Sequence, residues 1–284
     1  MKLFDRNFLV RTLSGALLVA VVVGAALLSR WTFFALLLVV MAGSTVEFHR
    51  LARAGGLHPQ RRYTLVVSVL FVALNMGVAT GEVHPVFLLL MLPPLTAIPV
   101  VELYRHSERP TADIGASYMS LIYIALPIAL LCYLPFMGHG DGSEFEAGRY
   151  NGQLFLYYIF ILWANDVGAY IFGVLLGRHR IFERHSPKKS WEGFFGGLIL
   201  ATTLGAWIGG PLLKHSMVSG AIFGIIVSVT GLYGDLVESM LKRAAGVKDS
   251  GAIMPGHGGF LDRFDAMLVS APFVFVFYVI FFMR

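Results

Sequence analysis

Nine apolar stretches follow one another along this chain, and they leave little of it for anything else. A membrane-spanning helix takes about 20 mainly apolar residues, with a range of about 17–25. On that measure the sequence predicts spans over 12–29, 31–46, 63–81, 84–101, 117–137, 154–177, 194–213, 217–237 and 266–283. The second is short. The fourth holds Pro93, Pro94 and Pro99, which a span tolerates when neighbours satisfy the freed backbone groups. Only 14% of the 284 residues are charged and 57% are hydrophobic, too few charges to coat a soluble globule. The expected fold class is all-α, a polytopic integral membrane protein with about nine transmembrane helices. No internal repeat or long hydrophilic segment divides it, so 1–284 reads as a single integral-membrane domain. Within it the polar chemistry sits in 151–284, and the spans of 1–150 are less diagnostic.

Lys2, Arg6 and Arg11 before the first apolar run also describe a signal peptide. The run is longer than a signal-peptide core, and a second begins at Trp31, so we read a retained helix. With the N-terminus inside, 18 of the 22 Lys and Arg residues fall in inside segments. That asymmetry predicts a cytoplasmic N-terminus and an outside C-terminus, and it places the acidic loop 138–150 outside. The same asymmetry accounts for the net charge of +5 without nucleic acid as a partner. One cysteine, Cys132, excludes a disulfide framework and any Cys-based zinc or iron–sulfur site. Spacings such as Gly173/Gly177, Gly193/Gly197, Gly205/Gly209 and Gly220/Gly224 fit close helix–helix packing.

Four segments carry polar groups that a membrane protein keeps at a cost. Asp166 lies near the middle of the sixth span, where a carboxylate marks a site by default. Asp235, Glu238, Ser239 and Lys242 follow at helical spacing and stack on one face; a solvated helix end with a Glu238–Lys242 pair is the plainer reading. Ser186-Pro187-Lys188-Lys189-Ser190-Trp191-Glu192-Gly193 puts cations and hydroxyls just before a helix start, which fits an anion pocket; taken by itself, a positive-inside anchor with Trp191 at the interface is the stronger reading. Last comes a glycine-rich stretch, Pro255-Gly256-His257-Gly258-Gly259, whose backbone N–H groups can approach an anion. It runs into a helix presenting Asp262 and Asp265 in its first turn. Those carboxylates either complement the helix dipole or, across from Lys242, Arg243 and Lys248, act as ligands for Mg²⁺. The inventory fits phosphoryl or nucleotidyl transfer, which needs positioning and charge neutralisation. No Ser/His/Asp or Cys/His arrangement for acyl transfer is evident.

The stretch 239–265 resembles the diagnostic motif of the phosphatidate cytidylyltransferases, also called CDP-diacylglycerol synthases. That motif reads Ser-x-apolar-Lys-Arg, four residues, Lys-Asp, and later His-Gly-Gly-apolar-x-Asp-Arg-x-Asp. Ser239, Lys242, Arg243, Lys248, Asp249, His257, Gly258, Gly259, Asp262, Arg263 and Asp265 all match in register. Met254 departs conservatively from the family's usual Leu, Ile or Phe before Pro255. Asn165-Asp166-x-Gly168-Ala169-Tyr170 and 186–193 look like two further family segments, with Ser190 where Thr is common. Size and span count are similar to the bacterial members.

The resemblance implies synthesis of CDP-diacylglycerol from CTP and phosphatidate, with pyrophosphate released, at the inner face of a bacterial cytoplasmic membrane. By resemblance Asp262 is the leading Mg²⁺ ligand, with Asp235 and Asp265 contributing and a monovalent cation such as K⁺ beside it. Ser239, Lys242, Arg243, Lys188 and Lys189 would contact phosphates, joined by Ser190, Lys248, His257, Gly258, Gly259 and Arg263 around substrate. Asp166 would hold a cation or help activate the attacking phosphate. Membrane lipids and a homodimeric partner are also implied. Rival readings are a CTP-dependent lipid kinase of the polyprenol or phytol type, a CDP-archaeol synthase and, more distantly, an ion-coupled transporter. The transporter is disfavoured because the polar groups crowd one membrane face and no paired halves appear.

Overall fold

The structure is a computed structural model that describes residues 6–137, 149–184, 186–213, 216–247, 249–251 and 258–282, with backbone alone for 6–11, 210–213 and 282. Helices dominate: α1 (Arg6–Leu28), α2 (Arg30–Ala54), α3 (Arg61–Ala79), α4 (Leu92–Leu103), α5 (Pro110–Ser120), α6 (Leu126–Leu131), α7 (Gln153–Leu176), α8 (Trp191–Leu213), α9 (Met217–Ala244) and α10 (Leu261–Phe282). A 3₁₀ stretch, Pro85–Met91, leads into α4, and a π-type turn, Leu121–Ala125, joins α5 to α6. Among the described residues eight helical stretches are long and apolar enough to cross a membrane, with a shorter apolar stretch, Thr12–Leu28, in α1. Every expected span therefore falls on a helix. Large apolar side chains point outward along them, among them Leu17, Leu90, Ile122 and Leu175, as a surface against lipid tails requires. The chain is a multi-pass membrane protein of the all-α class. The acidic residues of the expected outside loop, Asp141, Glu144 and Glu146, lie outside the described residues.

Packing groups the chain into two compact units, the first being Met1–Cys132 with Leu241–Phe264. Here Ser29 sets the break between α1 and α2: its Oγ accepts from Thr32 N at 3.2 Å and its N–H donates to Thr32 Oγ1 at 3.1 Å, a reciprocal cap. Val67, Met91, Ile98, Leu121 and Ala125 form a buried cluster between α3, α4 and the α5–α6 rod. The proline-rich fourth span resolves by position. Pro93 and Pro94 fall in the first turn of α4, where a missing N–H costs nothing. Pro99, inside α4, cannot donate to Leu95 O, and the Tyr118 hydroxyl does so instead at 2.9 Å.

The second unit comprises Tyr133–Met240 and Asp265–Arg284. Its helices cross at glycines. A Cβ at Gly197 of α8 would lie 2.7 Å from Asn165 O of α7, and one at Gly224 of α9 would lie 2.8 Å from Thr202 Cα of α8. Without those methyls the backbones approach closely. Tyr157 and Tyr158 bury their rings and donate to Gly205 O at 2.9 Å and Met267 O at 3.0 Å. Between α7 and α8 the segment expected as a loop forms a small antiparallel hairpin, β1 (Arg180–Phe182) and β2 (Ser186–Ser190). Glu192 clamps its base: the carboxylate accepts from Arg178 N at 3.0 Å and meets His179 Nδ1 at 2.6 Å.

Candidate nucleotidyl-transfer site

Within the second unit, three carboxylates converge. Asp235 and Glu238 sit one turn apart near the end of α9, and Asp265 lies in the first turns of α10. One oxygen from each lies within 4.8 Å of the others. Gly234 makes this possible: a Cβ there would be 2.7 Å from Ala266 Cα, so α9 presses directly on the α10 backbone. Glu238 and Asp265 are 1% and 8% exposed. Like charges held this close away from water repel, and a cation among them removes the repulsion. Lys189 supplies one positive charge by pairing with Asp235. Hard carboxylate oxygens in a set of this spacing fit Mg²⁺, which binds through a few carboxylates and shares its remaining shell with phosphates.

Beside Asp235 in the same unit opens a pocket of about 330 Å³, walled by Asn165, Asp166, Lys188, Lys189, Ser190 and Asp235 among others. The hairpin presents the two lysines, with Arg180 Nη1 donating to Lys188 O at 2.9 Å. Ser190 caps α8, its Oγ accepting from Gly193 N at 3.2 Å, which leaves the hydroxyl proton to donate. Asp166 is exposed on α7 and faces this pocket. Its neighbour Asn165 is fixed by Ser228 Oγ at 2.6 Å. A helix carrying an intramembrane acid thus borders a polar cavity, the condition under which Asp166 can meet the lysines.

The first unit holds the glycine-rich stretch. Asp262, in the first turn of α10, accepts from Lys242 Nζ at 2.6 Å, Ser250 N at 3.1 Å and Gly259 N at 2.9 Å, and lies 2.9 Å from Ser250 Oγ, whose one proton it shares with Glu47. Gly258 takes φ +80 beside it, a conformation that favours glycine. Behind this loop stands Glu47 of α2, 0% exposed, whose Oε2 accepts from Ser250 Oγ at 3.0 Å and Leu261 N at 2.9 Å. Gly251 and Gly259 pack against that carboxylate so closely that a Cβ on either would overlap it.

Asp235 and Asp265 are brought together, and Glu238 completes their cluster. Lys242 reaches Asp262. Lys188, Lys189, Ser190 and Asp166 share one pocket. Asp262, Gly258 and Gly259 form one loop-and-helix junction. Ser239 is half-buried on α9, and Arg243 and Arg263 are exposed. Lys248 and His257 lie outside the described residues. Glu47 was missed because the second span is expected to stop at 46; its signal was an acidic residue adjoining an apolar run.

These features define a class: a polytopic membrane protein with carboxylates, lysines and backbone donors at its helix ends, groups whose chemistry suits phosphates. The chain belongs to the cytidylyltransferase family, whose model matches residues 9–281, and it is therefore a nucleotidyltransferase. A phosphatidate cytidylyltransferase of Synechocystis sp. is 33% identical over 294 residues, covering 95% of this chain and 96% of that protein. The enzyme of the same name from Haemophilus influenzae is 44% identical over 136 residues, 45% of this chain and 47% of that protein. The Helicobacter pylori one is 40% identical over 141 residues, 49% and 53% of the two chains.

Proposed function

We propose that this chain makes CDP-diacylglycerol and pyrophosphate from CTP and phosphatidate. The observation that carries the reading is the Asp235–Glu238–Asp265 cluster beside a lysine-lined pocket, in a chain of the cytidylyltransferase family. A phosphatidate phosphate oxygen attacks the α-phosphorus of CTP. The new P–O bond forms as the bond from that phosphorus to the bridging oxygen breaks, and the electron pair leaves with pyrophosphate. Phosphatidate arrives ionised, so no strong general base is needed. The protein's task is to hold two polyanions in line and neutralise them.

Lys188 and Lys189 neutralise phosphate charge at the pocket, and the Ser190 hydroxyl donates to a phosphate oxygen. Asp235, Glu238 and Asp265 would hold Mg²⁺, with a monovalent cation such as K⁺ as a second occupant near these carboxylates. When bound, Mg²⁺ polarises phosphate oxygens and stabilises charge on the leaving group. Asp166 steers cations toward the pocket or orients the attacking phosphate. Ser239, Lys242, Arg243, Gly258, Gly259 and Arg263 form the phosphate-contacting set of the motif, together with Lys248 and His257. Asp262 would contribute its carboxylate to cation binding, and Lys242, now paired with it, would then be available to a substrate phosphate. The reaction is assigned to the cytoplasmic face of a bacterial inner membrane, in a homodimer.

Labelled CTP separates this reaction from phosphoryl transfer. With detergent-purified protein, phosphatidate and Mg²⁺, label in the α-phosphate is expected in the lipid and label in the γ-phosphate in pyrophosphate. Appearance of the γ-label in the lipid would make the chain a kinase instead.

A further inference from the structure

A second basic pocket lies within the first unit, at the ends of three membrane-spanning stretches. It encloses about 690 Å³ and is walled by Arg53 from the last turn of α2, Arg61 and Arg62 from the first turn of α3, and Arg105 just beyond α4, with Tyr63 and Val101 among the remaining lining. The catalytic reading uses none of these residues.

The back wall is built rather than incidental. Glu102, 4% exposed, takes Arg105 Nη1 and Gln60 Nε2 on one oxygen, each at 2.7 Å, and Gln60 Nε2 also donates to Ile98 O at 2.8 Å. Arg105 Nη2 holds His58 O at 2.8 Å. Glu102, with the buried Asp113 whose charge also acts on Arg105, answers one of the four guanidinium groups, and four arginines against two carboxylates leave the pocket a surplus of positive charge. No side chain caps the start of α3, where Arg61 N donates to Pro59 O at 2.8 Å, and the helix dipole adds to the attraction for an anion.

Below the arginines the lining turns apolar. Leu65, Tyr63 and Val101 continue the wall, and Val66, Val69, Leu70, Val100 and Leu103 expose apolar side chains along the same two helices. A soluble phosphate would need the charges alone. Charge at the mouth over an apolar flank matches a headgroup on its acyl chains, and basic pockets between spans bind such headgroups.

We infer that this pocket is a binding site for an anionic phospholipid, its phosphate on Arg53, Arg61, Arg62 and Arg105 and its acyl chain along α3 and α4. The site is independent of the catalytic reading, and its test reads lipid retention rather than turnover.

The full-length protein is purified from micelles containing phosphatidylglycerol or phosphatidylcholine, and bound lipid is counted by native mass spectrometry. Wild type is expected to retain one phosphatidylglycerol that R61Q/R62Q holds roughly 30-fold more weakly, with R61K/R62K restoring most of it. The charge-matched R50Q/R109Q, altered at exposed arginines that do not line the pocket, is expected to bind like wild type. Equal loss in both glutamine pairs would overturn the site in favour of general charge attraction, and so would equal retention of phosphatidylcholine. Displacement of the lipid by an equal concentration of glycerophosphoglycerol would overturn its lipid character and leave a soluble phosphate ester as the ligand. Should R61Q/R62Q fail to fold, R53Q reads the same pocket from α2: about fivefold weaker retention is expected, and unchanged retention overturns the proposal.

Discussion

Ser250 Oγ stands between two carboxylates, 3.0 Å from Glu47 and 2.9 Å from Asp262, and substitutions at the two acids separate chemistry from scaffolding. Asp262→Asn replaces an acceptor with a donor facing Lys242 or the loop amides. Hydrogen bonds to charged groups contribute about 1.5–3 kcal/mol each, so turnover is expected to fall at least ~100-fold while the protein still inserts. Turnover assays on membranes containing equal amounts of variant and wild type check this, and an active Asn variant at ordinary Mg²⁺ contradicts it. Glu47→Gln keeps the shape of a fully buried side chain but removes its charge, leaving Ser250 Oγ and Leu261 N to donate to a neutral oxygen. Its expected signature is a stability loss of about 1.5–3 kcal/mol, read as a lower melting temperature, with a smaller effect on kcat than Asp262→Asn. A third substitution, Asp235→Asn, takes one charge from the carboxylate cluster, and a Mg²⁺ titration should show the half-saturating concentration rise about tenfold or more. Asp262 was legible because it sits in a dense motif of fixed identities. Glu47 was not, because its partners lie more than two hundred residues away in sequence and only packing brings them to it.

At the scale of elements, the approach of α7, α8 and α9 depends on missing side chains. Gly197→Ala would drive a methyl to 2.7 Å from Asn165 O, which is backbone and cannot swing aside, whereas Gly24→Ala meets nothing within 4 Å. The first is expected to destabilise by about 1–3 kcal/mol and the second to be neutral, compared by thermal unfolding in one detergent. Equal effects would contradict the packing described. Helix existence was legible from apolar run length alone, even through Pro93, Pro94 and Pro99. The hairpin Arg180–Ser190 was not: Lys188 and Lys189 interrupt any apolar alternation, and its shape is held from outside by Glu192. The place of Glu238 in the carboxylate cluster was not legible either, for a related reason. Its helical spacing to Lys242 is visible in one element, but Asp265 arrives from another, pressed in where Gly234 carries no side chain.

For the whole molecule, the distribution of Lys and Arg sets the expected orientation, which no single helix records. Cys132 is buried, so a cysteine introduced at an exposed position reports by itself. Arg184→Cys is expected to react with an impermeant thiol reagent only from the cytoplasmic side, and Ser216→Cys only from the outside. The reverse pattern would invert the topology and move the lysine pocket to the wrong face. The central claim, that this chain joins a cytidylyl group to an acidic lipid, meets its most direct test in pyrophosphate release. Purified protein receives phosphatidate and Mg²⁺ with each nucleoside triphosphate in turn. Release that requires phosphatidate and occurs with CTP alone is the expected result; no CTP-specific release in the presence of phosphatidate would contradict the account.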